Sequence, residues 1–166
     1  MASITIGGNE ANTVGNLPAE GTGAPGAALT GLDLGPLSLA DLAGQNVVLN
    51  IFPSIDTPTC AASVRAFNER AAALENTTVL CVSADLPFAQ KRFCGAEGIE
   101  HVQMGSTFRD GAFGQDYGLT MTDGPLAGLL ARAVVVVNPE GSVVHSQLVP
   151  ELADEPDYDE ALAAIG

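Results

Sequence analysis

Three short apolar runs constrain the fold of this chain more than any other feature. They are Val47–Phe52, interrupted only by Asn50, then Thr77–Val82 and Ala133–Val137. Continuous apolar runs of this length are typical of strands that are buried on both faces of a sheet. A fourth segment, Ser142–Val149, alternates apolar and polar residues and predicts a further strand. The sequence therefore predicts a central sheet.

Helical periodicity fills the intervals between these strands. Apolar residues from Cys60 to Leu74 recur at spacings of three and four, which predicts an amphipathic helix against one face of the sheet. Residues 86–93 mark a second helix in the same way. A third is expected at about 156–165, where Pro156 and acidic residues suit a helix N-terminus.

The N-terminal third is rich in turn-forming residues. Ser3–Ile6 alternates like a short strand, and Gly, Pro and Asn punctuate the chain to about residue 36. We expect a hairpin and loops there. The whole order resembles a thioredoxin-like α/β fold, with a central mixed sheet flanked by helices and an N-terminal β-hairpin extension.

Net charge and chain length limit the classes of binding partner and the architecture that we expect. The chain has 166 residues, with 20 acidic and 6 basic side chains and a net charge of −14. This charge repels phosphate backbones and anionic lipid headgroups, so nucleic acid and membrane surfaces are not expected partners. We expect a single domain over residues 1–166 and, because no apolar run approaches the ~20 residues of a membrane helix, a cytoplasmic protein.

The cysteines do not form the framework of a small secreted domain. There are three, Cys60, Cys81 and Cys94, and an odd, small number is unsuited to structural disulfides. Only two histidines are present and no CxxC spacing exists, so we expect no metal. The GxGxxG match at residues 21–26 carries Pro25 within a predicted loop, and no cofactor is expected.

The loop before Cys60 contains the strongest chemical signal. Pro58 disfavours helical geometry at Thr57, so Thr57 suits the N-cap, Pro58 the first helical position and Cys60 the first turn. The positive end of the helix dipole favours a thiolate there, and the thiolate is the nucleophilic form. A small core cysteine is the alternative, because Cys60 also belongs to the apolar stripe.

Pro53, Thr57 and Cys60 form a PxxxTxxC pattern, and on these residues the chain resembles the peroxiredoxins. The surrounding sequence is similar to the bacterial thiol peroxidase subfamily, whose members are atypical 2-Cys peroxiredoxins. The segments that carry this resemblance are Pro53–Asn68 (PSIDTPTCAASVRAFN), Arg92–Gly98 (RFCGAEG) and Asp123–Val137 (DGPLAGLLARAVVVV), with Ser146–Leu148 and Glu155–Tyr158.

The resemblance implies a thioredoxin-dependent peroxidase active in antioxidant defence. Cys60 would attack hydrogen peroxide or an alkyl hydroperoxide and become a sulfenic acid, and Cys94 would then resolve it as an intramolecular disulfide that thioredoxin reduces. Thr57 would donate its hydroxyl to the peroxide or the thiolate, and Pro53 would shape and dry the pocket. A homodimer is implied as well.

Arg132 matches the family position that stabilises charge as the O–O bond breaks. Cations are scarce in this chain, which has one lysine and five arginines, and solubility alone poorly explains an arginine beside a predicted buried strand. Lys91, one turn before Cys94, is expected to help ionise that thiol. Cys81 lies in a predicted strand and is expected to be a core residue.

Two alternatives to a peroxidase stay open on sequence. One is a redox sensor or relay that passes oxidation from the same cysteine pair to a partner protein. The other is a thioredoxin-fold binding module with inert thiols. A coupled peroxidase assay separates the peroxidase from the inert module, and turnover much slower than partner oxidation would favour the sensor or relay.

Disulfide formation is expected to need movement. Cys94 lies eight residues beyond Leu86, or roughly 12 Å along the second helix, whereas a disulfide needs Cα atoms about 4.4–6.8 Å apart. We therefore expect residues 57–62 and 90–98 to rearrange on oxidation.

Overall fold

A seven-stranded mixed sheet forms the centre of the computed structural model, which describes residues 1–165. The strands are β1 (Ser3–Ile6), β2 (Asn9–Asn12), β3 (Ala28–Thr30), β4 (Pro36–Ser38), β5 (Asn46–Ile51), β6 (Thr77–Ser83), β7 (Gln103–Ser106), β8 (Ala133–Val137) and β9 (Val143–Leu148). The sheet order is β4-β3-β7-β6-β5-β8-β9, and β1 pairs with β2 in a separate hairpin. The predicted mixed sheet and N-terminal hairpin are confirmed.

The central strands are buried on both faces, as their continuous apolar runs predict. In β8, Val134 and Val136 pack into one apolar cluster, whereas Ala133, Val135 and Val137 pack into the other on the opposite face. β5 pairs in parallel with β6 and antiparallel with β8, so it lies at the middle of this doubly covered region.

Helices α1 (Pro58–Ala71), α2 (Pro87–Glu97), α3 (Ala112–Asp116) and α4 (Tyr158–Ala163) complete the fold, with a 3-10 helix at Leu39–Leu42. Because α1 and α2 connect successive parallel strands of one sheet, the right-handed crossover rule places them on the same face. α4 joins them there, with the rings of Phe67 and Tyr158 packed edge to face at 5.1 Å.

The other face is covered by the hairpin and α3. Ile4 and Ala11 from the hairpin, and Phe113 and Tyr117 around α3, belong to the same buried cluster. The Phe113 and Tyr117 rings stack with centroids 4.4 Å apart. The hairpin is therefore packed into the core of the protein.

Several elements were not predicted, namely β3, β4, β7, α3 and the 3-10 helix. The terminal helix is also shorter than expected. Pro156 lies outside it, and Asp157 forms the N-cap by accepting a hydrogen bond from the Glu160 amide at 3.0 Å. Within residues 1–165 no helix is long and apolar enough to cross a membrane.

Candidate active site

The loop that joins β5 to α1 carries the PxxxTxxC residues. Thr57 occupies the predicted N-cap in an extended conformation (φ −114°, ψ 148°), and Pro58 is the first helical residue. The Thr57 side chain makes no capping bond, because its hydroxyl donates to the carbonyl of Ser54 at 3.0 Å instead. The first turn of α1 therefore keeps amide groups that no side chain caps.

Cys60 lies in the first turn of α1 and is fully buried. Its Sγ accepts a hydrogen bond from Arg132 Nη2 at 3.3 Å. These residues are 72 positions apart in sequence and meet because β5, which leads into the Cys60 loop, pairs with β8, which begins directly after Arg132. The pairing thus brings a guanidinium against a cysteine sulfur.

Arg132 is a buried cation, only 2% exposed. Its Nε donates to the carbonyl of Leu152 at 2.9 Å, which fixes the plane of the guanidinium. Its Nη1 is buried and has no hydrogen-bond partner among the described residues. Two of the three guanidinium nitrogens are therefore engaged, one with the backbone and one with Cys60, and the donors of the third are unused.

A cleft of about 320 Å³ opens beside these groups. Pro53, Thr57 and Arg132 line it, and Cys60 lies behind its wall. The remaining lining is mainly apolar and includes Ile6, Leu126, Leu129 and Leu152. The structure thus brings four of the five predicted site residues together around one apolar cleft.

Cys94 lies outside that cleft, in the third turn of α2, where it is half-buried in the same apolar cluster as Cys60. All three cysteines are free. Burial raises the pKa of the Cys94 thiol, which favours its protonated form in this conformation. Burial also raises the pKa of Cys81 to about 12, in keeping with its predicted place in the core.

Glu151 is a site residue that the sequence did not indicate. It lines the cleft, and its carboxylate accepts hydrogen bonds from the Gly8 amide at 2.8 Å and the Ala153 amide at 2.9 Å. The bond from the Ala153 amide, followed by that from the Gly8 amide, holds the pKa of Glu151 below its ordinary value. Glu151 thereby fastens the hairpin turn, with Ile6 and Gly7, to the cleft wall.

A buried polar contact supports the backbone at Cys60. Asn50, the one interruption of its apolar run, donates through Nδ2 to the hydroxyl of Ser63 at 3.2 Å. That hydroxyl in turn donates to the carbonyl of Cys60 at 2.8 Å. The interruption at Asn50 was a usable signal, since a polar residue in a doubly buried strand needs a partner. No cluster of three or more metal-ligating side chains occurs in residues 1–165.

Comparison with known proteins places this site in a family. The Redoxin family model matches residues 19–162. The chain belongs to the Redoxin family. A thiol peroxidase of Mycobacterium tuberculosis is 63% identical over 166 residues, covering 100% of this chain and 99% of that protein, and one of Corynebacterium glutamicum is 54% identical with 99% of each covered.

The fold agrees with this membership. The crystal structure of a peroxiredoxin-like protein from Aquifex aeolicus superposes with a TM-score of 0.93 at 39% identity, covering 98% of this chain and 95% of that one. The predicted thioredoxin-like fold is therefore confirmed, as is the resemblance to thiol peroxidases. The chain is an enzyme, a peroxidase of the peroxiredoxin type.

Proposed function

We propose that Cys60 is the peroxidatic nucleophile, that Arg132, Thr57 and Pro53 form the pocket in which it reacts, and that Cys94 resolves the product. The observation that carries the assignment is the contact of 3.3 Å between Arg132 Nη2 and Cys60 Sγ. Arg132 Nη2 is placed to donate to a thiolate at Cys60, which is the reactive form, and the cleft that Arg132 lines has room for a peroxide.

In the first step the Cys60 thiolate attacks one peroxide oxygen. A sulfur–oxygen bond forms, the O–O bond breaks, and the departing oxygen leaves as alkoxide or hydroxide that takes up a proton. Cys60 becomes a sulfenic acid and the peroxide becomes an alcohol or water. Negative charge develops on the departing oxygen, and Arg132 Nη1, which is buried without a partner, is available to donate to it.

In the second step the Cys94 sulfur attacks the sulfur of the Cys60 sulfenic acid. The disulfide forms, the sulfur–oxygen bond breaks, and hydroxide leaves with the proton of Cys94 as water. Both cysteines border one apolar cluster, which supports their pairing. Since burial raises the pKa of Cys94, unwinding that end of α2 both brings its sulfur to Cys60 and restores its acidity.

The cleft supports organic hydroperoxides as substrates alongside hydrogen peroxide. Its wall includes Leu126, Leu129 and Leu152, which bind an alkyl group by excluding water. Hydrogen peroxide has no apolar part to use this surface. We therefore expect any advantage of alkyl hydroperoxides over hydrogen peroxide to arise in binding rather than in the chemical step.

The remaining features follow from the family. We propose a single domain over residues 1–166, a cytoplasmic location, a homodimer, and a thioredoxin that reduces the disulfide by donating two electrons and two protons. Light scattering tests the dimer, since a mass near 16.9 kDa at micromolar concentration contradicts it. Non-reducing gels of oxidised protein test the intramolecular disulfide, which leaves the chains monomeric.

The decisive experiment couples peroxide reduction to NADPH oxidation through thioredoxin reductase and thioredoxin, with hydrogen peroxide and an alkyl hydroperoxide as substrates. Cys60→Ser is expected to abolish turnover, because a serine hydroxyl does not ionise at neutral pH. Cys81→Ala is the matched control and is expected to keep activity, because Cys81 is fully buried in the core. Activity in Cys60→Ser contradicts the assignment.

A further inference from the structure

The carboxylate of Asp85 accepts hydrogen bonds from the loop that precedes Cys60 as well as from its own segment. Oδ1 accepts from the hydroxyl of Ser54 at 2.9 Å, and Oδ2 accepts from the Ile55 amide at 2.7 Å and the Ser83 hydroxyl at 2.6 Å. Asp85 lies between the end of β6 and the start of α2. It therefore ties the Cys60 loop to the connection that leads into the Cys94 helix.

The bonds that Asp85 accepts from Ser54 and Ile55 fix the turn that precedes Thr57. The carbonyl of Ser54 accepts from both the Thr57 amide at 3.3 Å and the Thr57 hydroxyl at 3.0 Å. The Ser54 hydroxyl also accepts from the Asp56 amide at 3.2 Å. Asp85 thus orders the segment that carries Thr57 to the cleft.

The hydrogen bonds of Asp85 and Ser83 also reach α2 and β7. The Ser83 hydroxyl, which donates to Asp85, also accepts a bond from Gln90 Nε2 at 3.1 Å. Gln90 is a fully buried residue one turn before Cys94. The backbone carbonyl of Asp85 accepts from the Ser106 hydroxyl on β7 at 2.6 Å. An exposed ion pair between Arg92 and Asp56 (3.6 Å) spans the same two segments.

We propose that Asp85 is a positioning residue that holds the Cys60 loop against the start of α2, and that its bonds must loosen before the Cys60–Cys94 disulfide forms. This inference rests on the proposed function, in which those two cysteines pair. By favouring the closed loop, Asp85 speeds the reaction with peroxide and slows disulfide formation. It thereby sets how long the sulfenic acid stays open to a second peroxide, which oxidises it to the sulfinic acid.

Asp85→Asn tests this role with little change of volume. The amide replaces one acceptor oxygen with a donor, which then faces the Ile55 amide or a serine hydroxyl that is itself a donor. Losing one charge-assisted bond is expected to slow sulfenic acid formation about tenfold and to speed disulfide formation about tenfold. A merely structural residue would not move these two rates in opposite directions.

Both rates are measured in one experiment. Reduced full-length protein is mixed with an alkyl hydroperoxide, quenched with a thiol-alkylating reagent at increasing times, and resolved by intact mass into thiol, sulfenic, disulfide and sulfinic forms. Asp33→Asn is the matched control, since within residues 1–165 that exposed carboxylate accepts a bond only in its own turn, from the Gly35 amide at 2.9 Å. It is expected to leave both rates unchanged.

Ser54→Ala removes a single arm of the contact and is expected to shift both rates in the same directions by a smaller factor, which keeps the test valid if Asp85→Asn does not fold. A ratio of the two rates within twofold of wild type in the folded variants overturns the role of Asp85. Absence of a Cys60–Cys94 disulfide in the wild type instead overturns the proposed function, so the two failures are distinguishable.

Discussion

Arg132→Met separates the chemical role of the guanidinium from its contribution to stability. Methionine is unbranched and fills most of the space of the arginine stem, but it removes the charge and every donor. The variant loses the bond from Nε to the Leu152 carbonyl (2.9 Å) and the contact from Nη2 to Cys60 Sγ (3.3 Å). It also removes Nη1, which is buried without a partner.

The rate of peroxide reduction is expected to fall by roughly two to three orders of magnitude. Removing one fixed donor from the position where charge develops raises a barrier by roughly 2.7–4 kcal/mol. Arg132 is held by Leu152 before any substrate binds, so no reorganisation offsets the loss. The reaction with both hydrogen peroxide and alkyl hydroperoxides is slowed, because the group acts on the O–O bond and not on the alkyl chain.

Stability is expected to change much less. The lost charge-assisted bond to Leu152 is worth about 1.5–3 kcal/mol, whereas removing an unsatisfied buried donor regains about 1–3 kcal/mol. These two effects oppose each other. The free energy of unfolding should therefore stay within about 2 kcal/mol of the wild-type value.

The assay is a single-turnover rapid quench with mass detection of the oxygen gained at Cys60, because the chain contains no tryptophan for a fluorescence signal. Urea unfolding gives the stability. Arg109→Met is the matched control, since Arg109 also donates to a carbonyl, that of Leu34 at 3.1 Å, but on the exposed surface. A rate constant within about tenfold of wild type, well short of the loss expected for a fixed donor, refutes the role given to Arg132.

Three further predictions follow from the site. Cys94→Ser should reduce one equivalent of peroxide per chain and then stop in the thioredoxin-coupled assay, and sustained turnover would show that another thiol resolves Cys60. Since hydrogen bonds lower the pKa of Glu151, its hold on the hairpin is present above the ordinary value of 4.5 and weakens as pH falls below it. Protection factors of residues 3–12, corrected for the intrinsic pH dependence of amide exchange, should therefore fall at acid pH in the wild type but be lowered already at pH 7 in Glu151→Gln, and equal protection factors at pH 7 contradict this. Residues 57–62 and 90–98 should exchange faster in the oxidised than in the reduced protein, and equal rates would exclude local unfolding.

The central fold was predictable because its signals are local and strong. The runs at Val47–Phe52 and Ala133–Val137 are buried on both faces, and this pattern is typical of the central strands of an α/β sheet. Helix α1 follows from an apolar stripe and from Pro58, which is the first helical residue. These features depend on a few consecutive residues, so sequence alone conveys them.

The missed elements lack such signals. β3 and β4 have three residues each, too few to show a period, and β7 contains Gly105 in a sequence of mixed polarity. α3 contains Gly114, which lowers its helix propensity. The structure gives the reason, because a Cβ at Gly114 would overlap the hydroxyl of Thr120. Close packing with a distant segment explains that glycine, and periodicity cannot reveal it.

The site residues show the same difference between local sequence signals and contacts that depend on distant segments. Pro53, Thr57 and Cys60 lie in one loop and in the first turn of the helix that follows it, so the sequence alone predicts that they are close together. Arg132 was indicated by family resemblance and by the scarcity of cations, but its bond to Leu152 and its contact with Cys60 depend on strand pairing. Glu151 gave no signal, because its role exists only where the hairpin packs on the cleft.

The polar groups around Cys60 fall into two kinds, and the difference between them indicates when each one acts. Arg132 Nη1 is buried without a partner, and no side chain caps the first turn of α1, so these donors are incompletely used in the resting enzyme. A neutral peroxide accepts hydrogen bonds weakly, whereas the oxygen that departs as the O–O bond breaks accepts them strongly. Their full interaction is therefore made in the transition state, where it lowers the barrier.

The carboxylate of Asp85 is the opposite case, since it already accepts three hydrogen bonds in the resting enzyme. It gains nothing further as the peroxide bond breaks, so it cannot favour the transition state directly. Its bonds instead stabilise the loop conformation that places Thr57 at the cleft, and they oppose the conformation that a disulfide requires. Substitutions at Arg132 should accordingly change the barrier to peroxide reduction alone, whereas substitutions at Asp85 should change the balance between the two steps of the cycle.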